Sequence, residues 1–413
     1  MIYFAIMKYP KQLDLIFYKL HSQNIQPIIV GGYVRDQLLH RDSKDIDVEL
    51  YGIDSLEKLE KILEEFGEVN SVGKSFGVCK LKFKGLEIDF SLPREDSKIS
   101  SGHRGFSITT HSKLDFKTAS SRRDFSINAI GFDVMKKELL DPFHGQEDIK
   151  KGLLRAVDTK KFAEDPLRVL RAIQFASRFG FELDDALMQL CQDMIQKKLL
   201  EELARERVFE EVKKLLLKSQ KPSYGILLLK KLKLPLYFDA FHTMLDALDF
   251  LAKNREIKDE DTRLMLMLSA LTYNLKKEQR ENFFNQLTNK KELLKEIESL
   301  LQCKETFSIK KYGDYELYTL ARRVNIENFL YLLDAVSLGK DKESIKRMKT
   351  RVIDLNILHN KAKPLFQGKD LIRLAYKPSS QFSLLLEKVY DAQMHSEFTS
   401  HEEAIKWARN NLK

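Results

Sequence analysis

Two aspartates separated by one residue, Asp45-Ile46-Asp47, follow the run Gly31-Gly32-Tyr33-Val34-Arg35-Asp36 at a short interval. In an extended segment, residues two apart point the same way, so Asp45 and Asp47 put two carboxylates on one face. Like charges at that spacing repel, a bound cation relieves the cost, and an all-oxygen donor set favours Mg²⁺. Upstream, residues 27–30 read as a short buried strand running into the paired glycines, with a helix beginning near Tyr33. Gly31 and Gly32 let the backbone approach a phosphate closely, with the helix N-terminus aimed at it. The combination points to two-metal phosphoryl transfer, one ion activating a hydroxyl and the other holding a triphosphate and its leaving group. An isolated Asp-x-Asp is otherwise an ordinary solvated strand edge; the glycine turn sets this one apart. Asp89, in Glu87-Ile88-Asp89-Phe90, falls on a later expected strand and completes a carboxylate trio if that strand lies beside residues 45–51.

Two arginine-bearing segments supply the opposite charge. Arg122-Arg123-Asp124 precedes Asn128 at an apolar helix start, and arginine forks suit triphosphate oxygens while Asn128 can bond a ribose hydroxyl. The plainer alternative is an N-capped surface helix. Glu164-Asp165-Pro166-Leu167-Arg168 opens a second helix, with Asp165, Arg168 and Arg171 on one face. A guanidinium beside a carboxylate presents donors and acceptors in one plane, enough to read the edge of a base without a nucleic-acid template. Helix-surface ion pairing is the alternative there. Gly180 supplies the stop for that helix.

The elements that must position these groups follow from composition and periodicity. Eleven of the 17 glycines lie in residues 1–150, which predicts a turn-rich, strand-containing first part and a mostly helical remainder, an α+β chain. Residues 45–51 alternate, with Ile46, Val48 and Leu50 on one face and Asp45, Asp47 and Glu49 on the other. Residues 55–66 read as an amphipathic helix, and 76–83 and 86–92 as strands joined by a turn at Lys84-Gly85. The polar stretch 95–123 reads as a mobile loop between two chemical motifs, of the kind that serves as a lid. Helical spacing dominates from Glu164 onward, with later helices at 261–274, 277–302 and 382–393. Boundaries are expected near 150 and 220, giving segments 1–150, 151–220 and 221–413.

The 413 residues carry 70 Lys and Arg against 61 Asp and Glu, a net charge of +9 that suits a polyanionic partner without naming it. Three widely spaced cysteines, Cys79, Cys191 and Cys303, exclude a disulfide framework and a CxxC zinc site and suit a reducing cytoplasm. No apolar run approaches a membrane span, and the apolar start before Met7-Lys8 is too short for a signal core.

Read in order, GGYVRDQLL with DID, IDFSLPRED, SSRRDFSINAIGFD, LLDPFHGQEDIKKGLLRA, FAEDPLRVLRAIQFASRFGF and ARERVFEEVKKLLL resemble bacterial class II tRNA nucleotidyltransferases and poly(A) polymerases of the DNA polymerase β superfamily. The resemblance covers about half of the chain, residues 26–217. It implies a nucleotidyltransferase head (1–150), a helical neck (151–220) and a helical body and tail that holds tRNA (221–413). It implies that Asp45 and Asp47 hold two Mg²⁺, that Asp89 stands at the place of a third carboxylate, and that Gly31, Gly32, Arg35 and Asp36 shape the phosphate turn. Arg122, Arg123, Asp124 and Asn128 would bind sugar and triphosphate. Asp165 and Arg168 would template ATP and CTP, Arg171 would lie near the triphosphate, and Glu206, Arg207 and Glu211 would support the pocket from the neck. The implied reaction is addition of CMP and AMP to the 3′ end of tRNA. A-only, CC-only and poly(A) addition share these motifs, and an RNA-binding protein with a vestigial site is the alternative of another class. Some relatives carry a phosphohydrolase domain with a His-Asp pair; the similar stretch here, residues 266–271, has none, so no hydrolase site is expected.

Overall fold

The computed structural model describes residues 7–70, 77–98, 106–110, 114–234 and 244–412. The chain divides into two compact units, residues 1–235 and 236–413.

The first unit opens with α1 (Asp14–Ser22), β1 (Gln26–Val30), α2 (Gly32–Leu38), β2 (Ile46–Tyr51), α3 (Leu56–Leu63), β3 (Glu68–Asn70), β4 (Val78–Phe83) and β5 (Leu86–Ser91). The short pair β6 (Arg94–Lys98) and β7 (Phe106–Thr110) follows, then α4 (Phe116–Ser120), β8 (Gly131–Asp133), β9 (Glu138–Leu140) and α5 (Gly145–Lys151). Seven of these strands form one sheet in the order β3-β4-β5-β2-β1-β8-β9, in which only β2 and β5 run parallel. Alternation assigns its faces. Ile29, Ile46, Val48, Leu50, Leu81, Ile88 and Phe90 join Leu13, Phe17, Leu20 and Leu59 in the main core. The other face carries Ile28, Val30 and Tyr51 against Phe116 and Ala119 of α4, and leaves the β1 and β2 ends near Asp47 uncovered.

Several expected elements form with small shifts. The turn between β4 and β5 has both Lys84 and Gly85 at positive φ, the conformation of a tight two-residue hairpin. Ser55 caps α3 by accepting from the Lys58 amide. The stretch 95–123 differs from the expected loop: β6 pairs with β7 as an antiparallel hairpin and α4 follows, while residues 99–105 and 111–113 lie outside the described residues. Thr at 109 and 110, Ile108 and Phe106 are residues that strands favour, and Asp115 caps α4 at the Thr118 amide.

After β10 (Leu153–Leu154), the chain continues through α6 (Thr159–Ala163), α7 (Leu167–Phe179), β11 (Glu182–Leu183), α8 (Asp185–Gln196), α9 (Arg205–Lys218) and α10 (Pro222–Lys231). Gly180 ends α7 in the left-handed region, as its position predicted. Helices α9 and α10 both pack on α7. At Gly225 a Cβ would meet Leu215 at 2.8 Å and Ser177 at 2.9 Å, so α10 lies too close to its neighbours for a side chain there. That approach holds α10 in the first unit, which runs to residue 235. The second unit is helical among the described residues, beginning α11 (Leu245–Lys253), α12 (Glu260–Leu271), α13 (Lys277–Leu287) and α14 (Lys291–Thr306). The expected single helix 277–302 is thus two. Thr288 turns extended at the break, and Thr and Asn at 288–289 prefer local side-chain bonding to helix, here the Lys290 amide on the Thr288 hydroxyl. The stretch 266–271 lies wholly buried in α12.

A buried chain of charges ties the sheet to α7. Arg35, 4% exposed, donates to Asp36 and, through Nη1, to the Asn128 carbonyl oxygen at 2.6 Å. The Asn128 amide donates to Asp124 at 2.9 Å, and Asp124 accepts from Arg171 Nε and Nη2 at 2.8 and 2.6 Å. Arg178 reaches the far oxygen of Asp36 at 3.4 Å. Phe175 and Phe179 of α7 lie against the Arg35 guanidinium at 5.2 and 4.9 Å. Burial alone would raise the Asp124 carboxyl, but Arg171, the Asn128 amide and Arg168 outweigh it and hold it below 3.8. A depressed folded pKa contributes stability that is present above the unfolded value and lost as pH falls through the folded one. Asp124→Asn is therefore expected to destabilise the chain at neutral pH by about 2–3 kcal/mol, less than a fully buried pair because Arg171 reaches solvent. In urea unfolding of the full chain, the gap between variant and wild type should close below about pH 4.

Candidate active site

The register of the sheet assembles the acidic end of the site. Asp47 pairs with Val30 on β1 and with Asp89 on β5, so three sequence-distant points meet on the uncovered face. Asp45 precedes β2 and, like Asp47, is exposed. Although its side chain reaches solvent, Asp47 sits in a crowded surround whose desolvation is the first cause that raises its carboxyl; Arg123 opposes this, and Asp89 and Asp45 add to it. Asp89 lies beside β2 as a trio requires, yet its carboxylate is already bonded to Lys80 of β4 at 2.8 and 3.0 Å. Among the described residues no group of three His, Cys, Asp or Glu side chains is arranged to hold a metal ion. Two carboxylates with water and phosphate completing the shell is the usual Mg²⁺ pattern, and the all-oxygen pair Asp45 and Asp47, repelling across open space, fits it.

The glycine turn is shaped by this neighbourhood. Gly31 has φ +70°, and a Cβ on it would stand 2.8 Å from Arg123 Nη1 and 3.9 Å from Asp47 Oδ2. The left-handed backbone conformation requires glycine, and the missing side chain lets the Arg123 guanidinium lie close against the turn. Gly32 opens the seven-residue α2. Arg123 also donates to the Asn128 backbone carbonyl at 3.3 Å and has a buried Nε with no partner. It is a cation beside Asp47 with donor capacity left over.

The expected site residues do not all lie open. Arg35, Asp36, Asp124 and Asn128 are buried in the charge chain and bonded to one another, and Arg171 spends its fork on Asp124. Arg122 and Arg168 are partly exposed, and so is Asp165. Asp165 and Arg168 are each gripped from behind. Arg168 donates through Nη1 to the Lys161 carbonyl at 2.9 Å and through Nη2 to the Arg122 carbonyl at 2.6 Å. Asp165 accepts the Leu167 amide at 3.2 Å and Arg207 of α9 at 3.4 Å. Arg207 thus stands where a supporting neck residue is expected. Glu211 is buried on the same helix, paired with Lys214, and Glu206 is exposed.

Sequence reasoning passed over one member of the site. Glu49, 1% exposed on β2, accepts from Arg122 Nη2 at 3.0 Å and from the Tyr51 hydroxyl at 2.8 Å. The alternation of residues 45–51 had put it on the face of Asp45 and Asp47, and a third acid on that face was the available signal.

Residues 28–155 match the family described as the poly A polymerase head domain, and residues 180–238 match the one described as the probable RNA and SrmB-binding site of polymerase A. A multifunctional CCA protein of Neisseria gonorrhoeae is 37% identical over 190 residues, 46% of this chain and 44% of that one. One from Chromobacterium violaceum is 37% identical over 203 residues, 49% and 47% of the two chains. The match therefore spans less than half the length of these curated relatives. Among solved structures, the Bacillus stearothermophilus CCA-adding enzyme in complex with CTP aligns over 98% of both chains with a TM-score of 0.76 and 23% identity. The Thermotoga maritima CCA-adding enzyme complexed with tRNA aligns over 98% of this chain and 97% of that one, with a TM-score of 0.67 and 22% identity. Residues 28–155 are thus similar to the poly A polymerase head-domain family, and the chain has the fold of the CCA-adding enzymes.

Proposed function

We propose that this protein adds CMP and AMP to the 3′ end of tRNA, transferring a nucleotidyl group from CTP or ATP and releasing pyrophosphate. The observation that carries the reading is the register that sets Asp47 beside both Asp89 and the Val30–Gly31 turn, in a chain folded as the CCA-adding enzymes are. Asp45 and Asp47 are the residues that would hold Mg²⁺. Bound there, the metal supplies activation of the attacking 3′-hydroxyl and neutralisation of the departing pyrophosphate. Arg123, beside Asp47 and the glycine turn, and the partly exposed Arg122 offer guanidinium donors to triphosphate oxygens. Asp165 and Arg168, fixed by Arg207 and by two backbone carbonyls, offer an acceptor and a donor to the edge of a base. The charge chain beneath them keeps the base-reading helix in place against the sheet. We assign the second unit to the RNA backbone, and the buried free cysteines suit a reducing cytoplasm.

Poly(A) addition is the second reading, favoured by the description of the matched head-domain family. One gel separates them. The protein is incubated with Mg²⁺, labelled CTP or ATP, and tRNAs ending before CCA, after C and after CC. Extension of all three, stopping at CCA, supports the proposal; long A tails support the second reading, and no extension of any substrate overturns both.

In the same assay, Asp45→Ala and Asp47→Ala should each lower incorporation at least about a hundredfold, since several kcal/mol of charge stabilisation is lost. Near-normal incorporation would remove these residues from the metal site. Asp165→Ala should retain incorporation but relax the preference for CTP and ATP over UTP and GTP by about 1–3 kcal/mol, read as competing kcat/KM values.

A further inference from the structure

Glu49 is the one fully buried carboxylate on the face of β2 that carries Asp47, and both of its oxygens are engaged, Oε1 by Arg122 and Oε2 by Tyr51. Buried, with each oxygen already bonded, this carboxylate is withdrawn from the open site, which separates it from the exposed Asp47 and Asp45, two and four residues earlier in the chain. It also differs from a simple surface ion pair. Its partner Arg122 is 18% exposed at the side chain, and a buried charge paired with a cation holds that cation in place. Arg122 has a second tie. Its backbone carbonyl accepts the short bond from Arg168 Nη2, and the carbonyl of Lys161 accepts from Nη1. The plane of the Arg168 guanidinium is thus set by two main-chain oxygens, one of which belongs to the residue that Glu49 anchors.

We infer that Glu49 is a positioning residue for nucleotide selection: through Arg122 it fixes the carbonyl that orients Arg168, and so couples the strand of the catalytic aspartates to the reading of the incoming base. The inference rests on the nucleotidyl-transfer reading above. Tyr51 is part of the same device. Its hydroxyl is buried and held strongly in the protonated, donating form by desolvation and by Glu49, so it keeps Glu49 in the rotamer that meets Arg122. Replacing Glu49 by glutamine keeps the shape but puts an amide and a neutral oxygen where two donors converge. The charge that pairs with the Arg122 fork is lost, and the carbonyl that Arg168 bonds is held less firmly. Displacement of a substrate-aligning group by a fraction of an ångström to one ångström is enough to cost about 10- to 100-fold in the affected step.

The test uses the full chain and steady-state extension of tRNA ending before CCA. Glu49→Gln should raise the KM for CTP and ATP about tenfold and increase UTP and GTP incorporation, with the KM for tRNA and the Mg²⁺ concentration dependence unchanged. A merely structural role would lower the melting temperature or the active fraction and leave discrimination among nucleotides intact, and that result overturns the inference. A shifted Mg²⁺ dependence with intact discrimination also overturns it, because it would make Glu49 a metal ligand. The Glu49→Gln, Arg122→Gln pair gives the second readout. Losses in the double variant close to those of the worse single variant support the relay, and losses that multiply overturn it. If Glu49→Gln fails to fold, Tyr51→Phe, which keeps the carboxylate and removes one donor, should show the same selective change at smaller size; unchanged discrimination there overturns the inference. If the wild-type chain extends no tRNA, the nucleotidyl-transfer reading fails by itself. The relay is then decided by calorimetric CTP binding, with weaker binding to Glu49→Gln supporting it and equal binding overturning it.

Discussion

A guanidinium cannot be left without partners inside a protein, and Arg35 is such a group: it is almost fully buried, and burial pulls its pKa down while Asp36 opposes the fall. Its requirements propagate. Asp36 answers its charge, Asn128 accepts its remaining fork, Asn128 then needs an acceptor for its own amide, and Asp124 supplies it. Asp124 in turn would be an uncompensated buried anion without Arg171 on α7. Each link is satisfied only if α2, the 3₁₀ turn Ser126–Asn128 and α7 keep one relative arrangement. The charge chain therefore acts as a gauge that sets the distance between the β2 aspartates and the start of α7, where Asp165 and Arg168 stand.

The same economy governs the open part of the site. Asp89 and Asp45 raise the cost of the charge on Asp47, and the surrounding cations meet only part of that cost internally. Lys80 takes Asp89, while Arg123 stands beside Asp47. The folded chain is left with a local acidic pair and a local basic fork that a metal-bound triphosphate would satisfy together. The modest net charge of +9 conceals this, because acids and bases that do chemistry cancel in the total.

Much of this was legible along the chain, and the limits have a physical reason. The alternation at 45–51 gave the two faces of β2 because period two depends only on local geometry. The Lys84-Gly85 turn and the Gly180 helix stop follow from φ preferences of single residues. Which strand lies beside which does not: Asp89 came next to Asp47 through a parallel pairing across intervening β3 and β4, and only the closed core decides that. The arginine segments show the harder limit. Asp124 and Asn128 have the residue types of a ligand shell, yet here they are buried and bonded to each other and to Arg35 and Arg171. Residue type and spacing cannot tell a group that faces a ligand from one that holds up the group that does. The break between α13 and α14 was missed for a milder reason, since helical periodicity persists across Thr288-Asn289 and only the side-chain competition with the backbone ends the helix.

That distinction between facing and holding bears on how a protein selects a nucleotide with no template strand. A base edge can be discriminated only by donors and acceptors whose positions do not relax to suit the wrong partner. Side chains on a helix surface relax easily; those tied to backbone do not. Arg168 is held by two main-chain carbonyls, and Asp165 by a main-chain amide and Arg207, so neither can swing without breaking bonds in an already desolvated layer. On the proposed function, the discriminating power of the pair would reside less in the two residues than in the rigidity of what lies behind them, and the buried charges are the means by which the sheet imposes that rigidity on the helix.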